Sequence, residues 1–422
     1  MNILFVSPYV PNKIRVRPYY WIRHLAERGH QVTLLTVCAN DDDRQALDDL
    51  KTYCASIKHV DLPTWRSMIN CLIALPSREP LQAVYSWDAN LADVLYQMAT
   101  SSDGKGTYDV VHIEHLRGAR YGVELISRCS LNKSPLPIIW DSVDSISLLF
   151  RQAMVQSKSF LSREITRIEL GRTEKYESWL VGEFDQVLVT SKNDKQALLS
   201  LVSASGDESQ VAVIPNGVDL EYFTPGENDD REKQTIVLSG KMSYHANVSM
   251  VVGFIKEIMP HVWSSRPDVQ VWIVGKDPSP GIRAFAHHPR VTVTGTVGDI
   301  RPFLRKATIS ASPINYGVGI QNKVLEAMAC ATPVIASSQA ASALTAENGK
   351  EIIIADGSLD FADKLISMLD DPEKRELIGK SGRRYVEKEH DWAGRATRLE
   401  ELYTQSIRQR KPSSNREVKI SV

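Results

Sequence analysis

The chain has 422 residues, 43% of them hydrophobic and 24% charged, with a formal net charge of −1. That length and apolar content suit two or three domains, each with its own core, and the balanced charge excludes a protein built for general nucleic-acid binding. Five scattered cysteines (Cys38, Cys54, Cys71, Cys129 and Cys330) with no CxxC pair exclude a disulfide framework and a zinc ribbon, and read as reduced core thiols.

In chain order, MNILFVSPYVPNK reads as a strand entering a loop, without the basic head, apolar middle and cleavage site of a signal peptide. Among its runs none approaches the roughly 18–20 apolar residues of a membrane span. A cytoplasmic protein is expected, with peripheral contact at the inner face of the membrane left open. Strands are expected at residues 2–7, 31–37, 57–62, 108–114, 137–142 and 186–191, then at 235–240, 269–275, 290–295, 308–313, 332–337 and 351–355. Val/Ile/Leu runs of this length suit parallel strands buried on both faces, with helices as crossovers. The fold class is therefore α/β, with each half a doubly wound, Rossmann-like sheet.

The loop after the first strand, residues 8–25, carries Lys13, Arg15, Arg17 and Arg23 with no acid among them. Either Arg15 and Arg17 receive a phosphorylated acceptor, or this is a solvated basic face. The segment MINCLIALPSREP (68–80) reads as a buried helix, with shallow membrane contact as the alternative. In YDVVHIEHLRG (108–118), strand alternation puts His112 and Glu114 on one face while His115 begins the loop. His112 reads as an ordinary core histidine; Glu114 and His115 read as cleft groups. Asp141 and Asp144 end the next strand, where they either orient an acceptor hydroxyl or cap the following helix. Residues 147–183 then read as one or two surface helices.

A seam falls at VIPNGVDLEYFTP (213–225), followed by a charged linker through residue 233. The expected domains are 1–214 and 215–392, with a last helix at about 393–408 packing back on the first domain and a flexible tail at 409–422. Strands of the second half end at Gly240 and Gly275. A later strand leads into GVGIQNKVLEAMA (317–329), whose glycines let a backbone approach a ligand and whose helix starts near Asn322. The helix start offers free N–H groups to phosphate, Lys323 adds a charge there, and Glu326 lies one turn on. The plainer alternative is that Asn322 caps the helix and Glu326 complements its dipole.

NKVLEAMACATPVIAS (322–337) resembles the donor-binding motif of the retaining glycosyltransferase family 4. The resemblance extends over nearly the whole chain, through IPNGVD, LSGKMSYHANVSM, VWIVGKDP and VTVTGTVGDIRPFLRKATISASP. The forms GKMSYHANV and GIQNKVLEAMA resemble an exopolysaccharide-synthesis branch. The family has the GT-B fold, two Rossmann-like domains facing across a cleft, here expected to close by rotation about 213–225. The resemblance implies a hexosyltransferase that moves a sugar from a nucleoside-diphosphate sugar to a hydroxyl of a saccharide or lipid-linked acceptor, with retention and with no metal or cofactor. It implies Glu326 as the ligand of the ribose hydroxyls. The family's other motif glutamate falls on Val318, so backbone groups of Gly319, Ile320, Gln321 and Asn322 are expected to replace part of it. The family's diphosphate Arg falls on Lys241. Its diphosphate Lys falls near His245–Asn247, where this chain has none, and Lys323 is expected to restore that cation beside Gly240 and Gly275. Glu114 falls on the family's active-site histidine, with His115 next to it; with Asp144 these are the expected catalytic groups. Two alternatives share the fold: a nucleotide-sugar 2-epimerase and a non-catalytic sugar-nucleotide-binding protein.

Overall fold

The apolar runs of the first 215 residues form seven strands: β1 (Asn2–Ser7), β2 (Gln31–Cys38), β3 (Ser56–Asp61), β4 (Val110–Glu114), β5 (Ile138–Val143), β6 (Gln186–Val189) and β7 (Val211–Val213). The computed structural model describes residues 1–100, 108–132, 136–156, 160–202, 208–226 and 231–409. Residues 410–422, almost all of the tail expected to be flexible, and residues 227–230 of the linker lie outside them. The chain divides into two units, Met1–Pro215 together with Trp392 onward, and Asn216–Asp391.

In the first unit the strands lie in the order β3-β2-β1-β4-β5-β6-β7, every neighbouring pair parallel. Order reverses at β1, so the carboxyl ends of β1 and β4 flank the crevice where such sheets bind ligands. Register places Phe5 beside His112 and Glu114 beside Asp141. A register shift follows Asp141, and Val143 takes a positive φ of 69°. Strand β7 was not expected: three residues at a sheet edge carry too little periodicity to separate from the seam. The helix Trp392–Gln409 belongs to this unit, with Trp392 stacked on Tyr20 (5.2 Å between centroids) and edge-on to Trp21 (5.0 Å).

The second unit holds β8 (Thr235–Ser239), β9 (Gln270–Val274), β10 (Val291–Gly295), β11 (Ile309–Ser312), β12 (Val334–Ala336) and β13 (Ile353–Ile354). Their order is β10-β9-β8-β11-β12-β13, again parallel. The reversal falls at β8, so here the crevice lies past β8 and β11. One core serves the whole unit, from Val237 and Ile273 on the strands to Phe254, Leu325 and Met328 on the helices.

The segment expected as a buried helix is a correction. Thr64–Ala74 is helical, but it buries Ser67 and Ala74 and leaves Met68, Ile69, Leu72 and Ile73 exposed. Its inward face is anchored through small groups: Asn70 donates to the Trp87 carbonyl (2.9 Å) and Cys71 to that of Leu81 (3.7 Å). A run apolar on every side does not tell which side packs.

Candidate active site

In the second unit, the loop from β11 to the helix Asn322–Ala329 is held by side-chain amides. Gln339 donates to the Gly317 carbonyl at 2.8 Å and Gln321 to that of Val318 at 3.4 Å, while Gly319 turns through φ 64°. Gln321 is the N-cap and supplies no side-chain cap, which leaves the first N–H groups of the helix for a ligand. The helix buries Val324, Leu325, Ala327, Met328 and Ala329 and keeps Asn322, Lys323 and Glu326 on its half-buried face. Asn322 does not cap; its Oδ1 accepts from Asn216 Nδ2 at 3.2 Å. The Asn216 carbonyl is bound in turn by His390 Nδ1 at 2.8 Å, which ties the 213–225 turn to this unit. Ile320 packs into the core, so only its backbone is on offer.

Lys323 reaches across to the strand ends. Its Nζ donates to Asn247 Oδ1 at 2.5 Å, and Asn247 Nδ2 donates to the Lys241 carbonyl at 2.9 Å. A Cβ on Gly240 would come within 2.9 Å of Asn247 Nδ2 and 3.4 Å of Lys323 Cε, so the ammonium lies against the end of β8. Gly275, at φ 150°, seals the neighbouring strand: a Cβ there would sit 1.7 Å from the Gly240 carbonyl oxygen. The Lys241 side chain is exposed. His245 stacks on Tyr316 at 5.3 Å with Nδ1 2.7 Å from its hydroxyl, joining the loops after β8 and β11.

Burial shapes both charges of the helix. It lowers Lys323 to about 8, against an upward pull from Glu326, and it raises Glu326 to about 7, against a downward pull from Lys323. Among the described residues no hydrogen bond reaches the Glu326 carboxylate. An ammonium, a row of helix N–H groups and an uncommitted carboxylate, within one turn of each other, match a diphosphate followed by a vicinal diol.

In the first unit a polar cluster fills the core beneath the crevice. Asp141 Oδ2 accepts from Arg17 Nε (2.8 Å) and Trp21 Nε1 (3.1 Å), and a second Arg17 nitrogen donates to the Ile214 carbonyl (2.9 Å). Arg17 is 3% exposed. This corrects its expected role as an acceptor or phosphate group: its guanidinium neutralises a buried carboxylate and holds the chain end of the first unit. The basic loop is neutralised from outside it. Arg15 pairs with Asp43 (3.1 Å) and lies over the Tyr9 ring, and Arg23 pairs with Glu27 (2.8 Å).

Glu114 and His112 are both fully buried, with Glu114 Oε2 3.6 Å from His112 Nε2. Tyr403 of the last helix meets His112 Nδ1 at 2.7 Å, and Phe5 stacks on the ring. Burial, then the neighbouring Asp141, pushes the Glu114 carboxyl well above its usual range, and burial lowers His112 to about 4. The imidazole is neutral at pH 7, and burial favours the neutral form of the carboxyl beside it. Ligand atoms of His112, Glu114 and Asp141 lie within 4.8 Å of one another, a spacing open to a metal ion, but Arg17 already supplies the positive charge that Asp141 needs. Glu114 is thus set back from any substrate, whereas His115 is the half-buried group at the rim. His115 does not start a loop; it opens the helix His115–Asn132 from a positive φ of 63°. Its Nδ1 accepts from the Arg117 N–H (3.3 Å), its carbonyl from Trp140 Nε1 (3.3 Å), and burial lowers its ring to about 3. Asp144, after the kink at Val143, accepts from Thr190 (3.0 Å) and is raised to about 7 by burial and then by Asp194. Neither Asp141 nor Asp144 caps the next helix. The buried Glu177 does so, accepting from Ile146 N (2.7 Å) and Ser147 N (3.2 Å).

Asn216, Asn247, Tyr316, Glu177 and Tyr403 all position site groups and were not read from sequence. Each acts across more than 25 residues of chain, and no short motif announces such a contact. Two further groups share this origin: the hydroxyls of Ser239 and Ser312, at the ends of adjacent strands β8 and β11, are buried with no partner among the described residues.

Comparison with known proteins sorts along the same two units. Residues 16–222 match the family described as Glycosyltransferase Family 4, and residues 233–371 match Glycosyl transferases group 1. A GDP-mannose-dependent monoacylated alpha-(1-6)-phosphatidylinositol monomannoside mannosyltransferase of Corynebacterium glutamicum is 27% identical over 218 residues, 47% of this chain and 57% of that protein. A D-inositol 3-phosphate glycosyltransferase of an Arthrobacter species is 25% identical over 297 residues, 65% of this chain and 66% of that protein. The chain thus matches somewhat less than two thirds of these relatives' lengths. Among solved structures, Anabaena HepE in complex with UDP and glucose superposes with a TM-score of 0.66 at 14% identity, over 96% of this chain and 100% of that one, a likeness of fold.

Proposed function

We propose that this chain, which matches Glycosyltransferase Family 4 over residues 16–222 and Glycosyl transferases group 1 over residues 233–371 and has the GT-B fold, moves a hexosyl group from a nucleoside-diphosphate sugar to a hydroxyl, with retention at the anomeric carbon. The observation that carries this reading is the placement of Lys323: a half-buried ammonium at an uncapped helix start, held by Asn247 against the end of β8. There it offsets the charge that grows on the diphosphate as the glycosidic bond breaks, together with Lys241 and the helix N–H groups and without a metal ion. Glu326 takes the ribose hydroxyls. The backbone from Gly319 to Asn322 meets the sugar end, where Val318 offers no carboxylate. On the acceptor side the half-buried rim group is His115: its Nδ1 already accepts from the Arg117 N–H, so the neutral ring offers its Nε2–H as a donor that orients the incoming hydroxyl. Asp144, just past the end of the neighbouring strand β5, is a second polar group at a strand end.

A lipid-linked or polysaccharide-precursor acceptor fits best with the relatives, one of which is named for a phosphatidylinositol mannoside acceptor. The test is incubation with GDP-mannose or UDP-glucose, with and without a polyprenyl-diphosphate-linked sugar, following nucleoside diphosphate release and the anomeric configuration of the product by NMR. Acceptor-dependent release with retained configuration supports the reading. A 2-epimeric nucleotide sugar formed without acceptor, or donor binding with no transfer to any acceptor, would sink it.

A further inference from the structure

The helix Thr64–Ala74 is amphipathic in the reverse sense. Its inward stripe is Ser67, Asn70, Cys71 and Ala74, four small or polar residues at the i, i+3, i+4, i+7 spacing of one helix face. The opposite stripe, Trp65, Met68, Ile69, Leu72 and Ile73, is large, apolar and outward. Trp65 is 61% exposed, Leu72 63% and Ile73 72%. Leu75 continues it, and Arg172 of the helix Phe160–Glu183 donates to the Leu75 carbonyl at 2.6 Å. Exposed Ile168 and Ile165 lie one and two turns before Arg172 on that same helical face. Six large apolar side chains, Trp65 to Leu75, thus form one outward face, with the exposed Ile165 and Ile168 on the helix that Arg172 ties to its end, more than a soluble face leaves uncovered by chance.

The rim says what covers it. From Leu62 to Arg78 the chain contains no acidic residue, and Arg66 and Arg78 are exposed at the two ends of the apolar stripe. Among the described residues Arg66 makes only a long side-chain contact, 3.7 Å from Asp88. Beside Ile165 and Ile168, Arg163 and Arg167 are also exposed, with Arg167 paired to Glu164 at 3.8 Å, so the cationic excess of the rim lies at Arg66 and Arg78. An isologous dimer would bring this arginine rim towards itself, which charge disfavours. An anionic lipid surface satisfies both parts at once: acyl chains take the apolar stripe, headgroups take the guanidinium ends, and Trp65 sits at the boundary. We propose that this face is a lipid-docking surface, with the Thr64–Ala74 helix lying in the plane of an anionic bilayer.

The proposal is independent of the catalytic reading, because docking is measured without donor or acceptor. Wild-type protein is sedimented with phosphatidylcholine vesicles, with and without about one third phosphatidylglycerol, beside a Leu72→Glu/Ile73→Glu variant. Both substituted side chains are exposed, and matching circular dichroism and melting curves verify the variant's fold. The expected result is binding to the anionic vesicles, little to the neutral ones, and a fall in partitioning of about tenfold or more in the variant. A second measurement does not depend on that variant: brominated lipid should quench wild-type fluorescence, and Trp65→Phe should remove most of the quenching. Wild-type protein that stays in the supernatant with both vesicles overturns the proposal. So does a variant that binds as well as wild type, or a wild-type dimer in size exclusion that the variant dissociates while neither binds vesicles.

Discussion

Replacing Lys323 by Met keeps the length of the side chain and removes its charge, and the structure assigns opposite signs to the two consequences. In the ligand-free protein, burial lowers this ammonium from 10.5 to about 8, which corresponds to at most about 3.5 kcal/mol of cost for carrying the charge at neutral pH. Lys323→Met relieves that cost but leaves Asn247 Oδ1 without its donor, a loss of about 1–3 kcal/mol. The two nearly cancel, so the free variant should melt close to wild type or slightly above it at pH 7. Because the folded value lies below the unfolded one, the native state binds fewer protons between about pH 8 and 10.5. Wild type should therefore gain stability as pH rises through that window, and the variant should lack the gain. In the complex the sign reverses. Losing one charge-assisted contact to the diphosphate should cost about 1.5–3 kcal/mol, weakening donor binding roughly 10- to 150-fold. Titration calorimetry with GDP-mannose and UDP-glucose, beside melting curves of the free proteins, reads both quantities. Unchanged affinity in the variant, or a free protein several kcal/mol less stable with affinity intact, would show the lysine to be structural and refute the reasoning.

Donor affinity should peak between about pH 7 and 8: below it Glu326 takes a proton and stops accepting from the ribose, and above it Lys323 loses its charge. Calorimetry across that range should show the acid limb vanish in Glu326→Gln, and retention of the limb contradicts the assignment. Arg17→Met should cost about 3–5 kcal/mol in urea unfolding, because it strands Asp141 as an unpaired buried charge. Adding Asp141→Asn should recover part of that loss, and a single-variant cost below about 1 kcal/mol would show the pair to be unimportant. Glu114→Gln should change stability at pH 7 by less than about 1 kcal/mol, because burial and Asp141 favour the neutral carboxyl, which the amide matches in shape. A much larger loss would mean that Glu114 is ionised in the fold.

Most of the parallel strands were readable because each, the edge strands β3 (SIKHVD) and β7 apart, is an apolar run bounded by turn residues, and parallel strands buried on both faces need no alternation. The donor loop was readable for a similar reason: glycines, a helix start and two charges lie within ten residues of chain. What the sequence hid is contact at a distance. Lys323 and Asn247 are 76 residues apart, and Arg17 and Asp141 are 124 apart. The basic stretch 8–25 looked unneutralised because its partners Asp43 and Asp141 come from other elements. Glu114 and His115 are adjacent in sequence yet differ in kind: the kink at His115 leaves one in the core and the other at the rim. The Thr64–Ala74 helix was misread because an apolar run implies burial only when something is there to bury it.

Melting curves recorded with a panel of nucleotides and nucleotide sugars bear most directly on Lys323 and Glu326 as a donor site. A ligand at about one hundred times its Kd should stabilise the native state by about 2.7 kcal/mol. At least one UDP-, GDP- or ADP-linked sugar should do so in wild type, and the shift should be lost in the Lys323→Met/Glu326→Gln double variant. No stabilisation by any such compound, or an equal shift in the double variant, would contradict a nucleotide-sugar site at this helix start.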